Sequence, residues 1–204
     1  MAAAPHTIGL TGAIASGKST ALEILGRLGA ATISADGIVH ELLDAEPLRS
    51  RLIDRWGDQI LAGAAAGGGE IDRAAVGRIV FADPAELAWL EAQIHPLVGE
   101  RIAAWLAGAP AGTEFAVAEI PLLFEGELHS AFDTTVAIVA ADQLRNSRAD
   151  ARGHALTPER ERLQLPQSEK AERADHVVTN DGSPEQLEGA LAALLATLTA
   201  RLDR

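Results

Sequence analysis

The sequence predicts a doubly wound α/β fold with a five-stranded parallel sheet, and three observations carry that expectation. Short β-prone runs at 7–11, 30–34, 115–118, 134–139 and 175–179 alternate with helix-prone stretches, the pattern of βαβ units. The first junction, Gly12-Ala13-Ile14-Ala15-Ser16-Gly17-Lys18-Ser19, fits G-x-x-x-x-G-K-[ST] and lies between a strand and a helix, as a phosphate-binding loop requires. The length, 204 residues, suits one domain or one domain with a small insert.

Each position of that loop has a physical task. Gly12 and Gly17 let the backbone bend so that successive N–H groups, with the helix N-terminus, face a polyphosphate. Lys18 reaches the β- and γ-phosphates, and Ser19 ligates magnesium. A nucleoside triphosphate is therefore the expected ligand, held along Gly12 to Thr20.

Beyond the loop, the second strand closes on Ala35-Asp36-Gly37. Ligands of open parallel sheets bind beyond the carboxyl ends of the strands, so Asp36 is a candidate to face a phosphoryl acceptor. Its alternative is an N-cap for the helix at 38–43, and one residue could serve both roles.

From 47 to about 106 the pattern is helical, broken by an Ala/Gly-rich loop at 62–69. Asp83-Pro84-Ala85-Glu86 starts a helix, with a capping acid, proline at the first position and glutamate at the third. His95-Pro96 is expected to end it, with a second helix from Leu97. His95 at such a junction either contacts a ligand or is satisfied by backbone carbonyls. Trp56, Trp89 and Trp105 are expected to pack this helical region.

The third strand closes on Glu119, followed by Ile120-Pro121-Leu122-Leu123-Phe124-Glu125. An acid ending a strand beside a phosphate loop reaches magnesium, directly or through water, unless it is simply a solvated loop charge. After the fourth strand come Arg145, Arg148, Arg152, Arg160 and Arg162, read either as a solvated helix face or as a lid whose guanidiniums stabilise a moving phosphoryl group. Thr157-Pro158 starts another helix, and Ser183-Pro184-Glu185-Gln186 caps the last, whose leucines at 187, 191, 194, 195, 198 and 202 make one apolar stripe.

Charge narrows the partners. The formal net charge of -12 opposes a general role on nucleic-acid backbones or anionic membranes. Cysteine is absent, which removes disulfides and thiol chemistry and fits a cytoplasmic location. No secretory segment opens the chain, and no obligate protein partner is evident.

In the order and spacing of its motifs the chain resembles the dephospho-coenzyme A kinases. The likeness runs through Thr11 to Thr20, Ala35-Asp36, Trp56-Gly57, Ile71-Asp72-Arg73, Val80-Phe81-Ala82-Asp83, Ile94-His95-Pro96-Leu97 and Ile120 to Glu125. It continues with Gln143-Leu144, the R-x-x-x-R pair Arg148 and Arg152, then Arg160, Gln164, Pro166, Lys170, Ala174-Asp175 and Asn180-Asp181-Gly182-Ser183.

The resemblance implies a P-loop kinase core at 6–46, 113–147 and 174–203, a helical coenzyme A-binding insert at about 47–112 and a helical lid at about 148–173. It implies transfer of the ATP γ-phosphoryl group to the 3′-hydroxyl of dephospho-coenzyme A, with Asp36, Lys18, Arg148 and Arg152 catalytic and Asn180 at the ATP. His95, Pro121 and Leu122 would join Asp36 around the acceptor, and Ser19 and Glu119 would hold magnesium. A kinase of a nucleoside monophosphate or other small metabolite is the alternative; a nucleotide switch is disfavoured by the absence of N-K-x-D.

Three features depart from the family pattern, one of them the Gly67-Gly68-Gly69 loop, which looks extended. Ala13 and Ala15 stand where glycine is usual, which is expected to require negative φ at both. Arg145 is displaced from the family's position after Gln143-Leu144 and has no assigned role.

Overall fold

A computed structural model describes residues 4–63, 69–110, 112–151 and 164–203. Its five strands are β1 (His6–Gly12), β2 (Ala31–Ser34), β3 (Phe115–Glu119), β4 (Thr134–Val139) and β5 (His176–Thr179), all parallel in the order β2-β3-β1-β4-β5. The helices are α1 (Lys18–Arg27), α2 (Ala35–Asp44), α3 (Leu48–Trp56), α4 (Arg73–Ala82), α5 (Pro84–Ala107), α6 (Asp142–Ala151), α7 (Gln167–Arg173) and α8 (Pro184–Leu202). The five expected strands are all present, so the doubly wound parallel sheet stands.

The chain divides into two compact units, the first drawn from residues up to Ser34 and from Leu106 onward, the second from Ala35 to Trp105. In the first, β1 is the central strand, flanked by β3 and β4, and Ile8, Leu10, Val117, Val136 and Ile138 are buried with Ile24 and Leu25 of α1. Leu187, Leu191, Leu195 and Leu198 of α8 bury against the same core, leaving Leu202 exposed. Ser183 and Gln186 form the expected capping box on α8. Asp175 ties β5 to β4 by accepting from the N–H and hydroxyl of Thr135 at 2.8 and 2.7 Å.

The second unit is helical around Leu48, Leu52, Trp56, Ile60, Ile94 and Val98. Trp56 is buried edge-on to the half-buried Trp89 at 5.3 Å. Its indole N–H donates to Glu86 at 2.8 Å, and Glu86 also takes both arms of Arg55, at 2.6 and 2.9 Å. Those bonds, Arg55 first, hold the Glu86 carboxyl below its ordinary range. Trp105 is half-buried. Around the Ala/Gly-rich loop, Ala62 N–H donates to Glu70 and Arg49 donates to Gly69 O, at 2.8 and 3.0 Å, so its stem is pinned; 64–68 lie outside the described residues.

Two local expectations are corrected here. Helix α5 does not end at His95-Pro96 but runs through it from Pro84 to Ala107. Leu90, Ile94, Val98 and Ile102 are buried at i, i+4 spacing on both sides of the proline, so one continuous apolar stripe outweighs the roughly 3 kcal/mol that an internal proline costs. Helix α2 begins at Ala35, directly after β2, so Asp36 lies in its first turn rather than at an N-cap. Asp83 does start α5, accepting from Ala85 N–H at 2.8 Å.

Candidate active site

The phosphate-binding loop leaves the carboxyl end of β1, between β3 and β4. A β-carbon on Gly12 would collide with Ile138 O of β4, and one on Gly17 with Asn180 Nδ2, so both places need glycine for closeness as well as for positive φ, 154° and 98°. Gly17 is the N-cap of α1 and supplies no side chain, which leaves the first-turn N–H groups for an anion.

The expectation of negative φ at both alanines fails at one of them. Ala15 has φ 60°, while Ala13 is not among the positive-φ residues. The alanine there bears a left-handed cost of about 1–2 kcal/mol.

The loop is braced from several sides. Lys18 Nζ donates to Ala13 O at 3.0 Å and Ser16 N–H to the same oxygen at 3.2 Å. Asn180, buried just beyond β5, donates from Nδ2 to Ser16 O at 2.8 Å. Ser16 is itself buried, and its hydroxyl has no hydrogen-bond partner among the described residues. Ser19 is exposed and Thr20 half-buried, both in the first turn of α1.

Helix α6 supplies the arginines. Arg148 donates from Nη2 to Asn180 O at 3.0 Å, and its enclosed Nη1 has no partner among the described residues. Arg145, left without a role by the sequence, is buried; it donates from Nε to Ile14 O at 3.0 Å and from Nη1 to Asp142 at 2.8 Å. It sits one helical turn before Arg148, a spacing that puts both on one face. Arg152, Arg160, Arg162 and the helix expected from Thr157-Pro158 lie outside the described residues.

A cavity of about 420 Å³ opens between Ala13 and Ile14 of the loop, Asp142 and Arg145 of α6, and the segment from Gln164 to Ser168. Gln164 Oε1 is enclosed there without a partner among the described residues.

Glu119 and Glu125 are not solvated loop charges. Glu119, at the end of β3, is buried and accepts from Ser34 Oγ at 3.1 Å. Glu125 pairs with the fully buried Lys170 at 2.9 Å. Burial pushes the Lys170 amine below its ordinary value, and Glu125 opposes that. Pro121 and Leu122 are half-buried, and Pro121 O accepts from Thr11 Oγ1 at 3.2 Å. Ser19 and Glu119 offer the oxygen donors that magnesium takes. Among the described residues no group of three or more His, Cys, Asp or Glu gathers as a metal cluster, so an ion here would rely on substrate phosphate and water as well.

In the helical unit, Asp36 and His95 are both exposed, and His95 makes no side-chain hydrogen bond among the described residues. The reading of His95 as satisfied by backbone at a junction therefore fails, since there is no junction.

A nucleotide loop on this sheet is common to many kinases, and comparison with known proteins narrows it. The family model for dephospho-CoA kinase matches residues 6–186. The chain belongs to the dephospho-CoA kinase family. The dephospho-CoA kinase of Deinococcus radiodurans is 39% identical over 199 residues, covering 95% of this chain and 93% of that one. That of Thermobifida fusca is 36% identical over 199 residues, covering 96% and 97%. A crystal structure from Thermus thermophilus superposes with a TM-score of 0.76 at 36% identity, covering 96% of this chain and 99% of the other. Membership makes the chain a kinase, a transferase that uses ATP. Among the described residues no helix is long and apolar enough to cross a membrane.

Proposed function

We propose that the protein transfers the γ-phosphoryl group of ATP to the 3′-hydroxyl of dephospho-coenzyme A, giving coenzyme A and ADP. The observation that carries this reading is a braced phosphate loop, with the first turn of α1 open to an anion, in a chain that matches the dephospho-CoA kinase family over residues 6–186.

The N–H groups from Gly12 to Thr20 and the Lys18 amine hold the ATP phosphates, with Asn180 behind them. Ser19 and Glu119 would hold a magnesium ion, which supplies charge neutralisation when bound. Asp36 accepts the proton of the 3′-hydroxyl as its oxygen forms the new bond to phosphorus and the bond to the β-phosphate oxygen breaks. Arg148 and Arg152 stabilise the charge that spreads over the moving group. On the family resemblance, His95, Pro121 and Leu122 are acceptor contacts. The reading places the protein in the cytoplasm, where ATP is at hand, with small-molecule partners alone.

An acceptor screen tests it. Dephospho-coenzyme A should be phosphorylated with a kcat/KM at least tenfold above that of any nucleoside monophosphate. A preference for a nucleoside monophosphate would replace the reading with that of a different small-molecule kinase.

A further inference from the structure

The chain has only two lysines. One is Lys18 of the phosphate loop, and the other, Lys170 of α7, is fully buried. Its ammonium donates to Pro121 O and pairs with Glu125 Oε1 at 2.9 Å. The same Oε1 accepts from Leu165 N–H at 2.7 Å, and the same Pro121 O accepts from the hydroxyl of Thr11, the residue before Gly12, at 3.2 Å. Three segments are thereby cross-linked through three side chains, Thr11, Lys170 and Glu125, with the Pro121 carbonyl as the shared acceptor: the base of the phosphate loop, the turn after β3, and the stretch from Gln164 to Ser168 that walls the cavity opposite Ala13 and Ile14.

We propose that Lys170 and Glu125 are positioning residues for phosphoryl transfer, a strut that fixes the 164–168 wall of the cavity against the base of the phosphate loop. The proposal rests on the kinase reading above. Stability alone does not call for this pair, because a buried ion pair replaced by apolar groups of similar shape is often no less stable. Glu125 Oε2 is moreover enclosed without a partner among the described residues, which is itself a cost. What an apolar pair cannot do is hold one chosen carbonyl and one chosen N–H in register. Displacement of a wall by about 1 Å costs on the order of 10²-fold in rate, through alignment and not through binding.

The test is the double variant Lys170→Met with Glu125→Met, which stays near the original side-chain volumes, removes both charges and takes away the acceptor of the Leu165 N–H. Its melting temperature should stay within a few degrees of the parent, and its ATP affinity without acceptor should stay within about threefold, because the loop N–H groups and Lys18 are untouched. Its kcat at saturating ATP and dephospho-coenzyme A should fall at least tenfold. A smaller fall, or a loss of ATP affinity as large as the loss of kcat, overturns the proposal. If the double variant does not fold, Glu125→Asp decides: it keeps the charge but withdraws the carboxylate by one methylene, so a tenfold fall in kcat at unchanged ATP affinity supports the strut and a smaller one overturns it. Absence of coenzyme A synthesis by the unaltered protein refutes the acceptor and not the strut. The strut is then judged by hydrogen exchange of the Leu165 amide, expected at least tenfold faster in the double variant and Glu125→Asp; unchanged protection overturns it.

Discussion

The side-chain amide of Asn180 donates to the carbonyl of Ser16 at 2.8 Å, and the same nitrogen occupies the place that a β-carbon on Gly17 would need. A residue beyond the last strand thus sets the curvature of the first loop. Gly17→Ala should therefore lose at least about 1–2 kcal/mol of stability from its positive φ alone and should weaken ATP binding. Asn180→Ala should cost about 1–3 kcal/mol by leaving the Ser16 carbonyl unpaired. Combined, the two should cost less than their sum, because the smaller side chain at 180 removes the collision. Thermal melts of the four proteins, with ATP titrations, measure the coupling; strict additivity would mean that the two residues do not meet.

Ala15 offers a change in the opposite direction. It holds φ 60° without being glycine, so Ala15→Gly should stabilise the protein by about 0.5–1 kcal/mol after the added freedom of the unfolded chain is counted. The melting temperature should rise by roughly 1–4 °C for a chain of this size. A fall would show that the alanine methyl packs usefully enough to outweigh its strain.

Acid should act on the link between β4 and β5. The hydroxyl and N–H of Thr135 hold the Asp175 carboxyl below its ordinary range, and Thr7 does the same to Asp133. A depressed folded-state value means that the stabilisation is complete above the unfolded-state value of about 3.9 and is lost as pH falls through the folded one. Asp175→Asn should therefore melt lower than the parent at neutral pH and lose less on acidification below about pH 4, with Asp133 still contributing. Parallel melting curves across that range would contradict the assignment.

Asp36→Asn keeps shape and removes the proton acceptor. Turnover should fall about 10²–10⁴-fold, while ATP affinity measured without acceptor changes little. Near-normal turnover would leave Asp36 as nothing more than an acid in the first turn of α2.

Much of this was legible because strands and loop are local signals. The β-prone runs, the G-x-x-x-x-G-K-S motif and the capping residues Asp83 and Ser183 each act over a few residues, and each stands where the sequence puts it. The failures are tertiary. Pro96 reads as a helix end until Leu90, Ile94, Val98 and Ile102 are seen buried on one stripe. The left-handed turn at Ala15 runs against the residue's own preference. Arg145 looks surplus because its acceptor, Ile14 O, lies far away in sequence, and the pairing of Glu125 with Lys170 is hidden for the same reason.

The purified protein with magnesium, ATP and dephospho-coenzyme A should give coenzyme A and ADP in equal amounts by mass spectrometry, with the new phosphate on the 3′-oxygen. Release of inorganic phosphate with dephospho-coenzyme A recovered unchanged would contradict it.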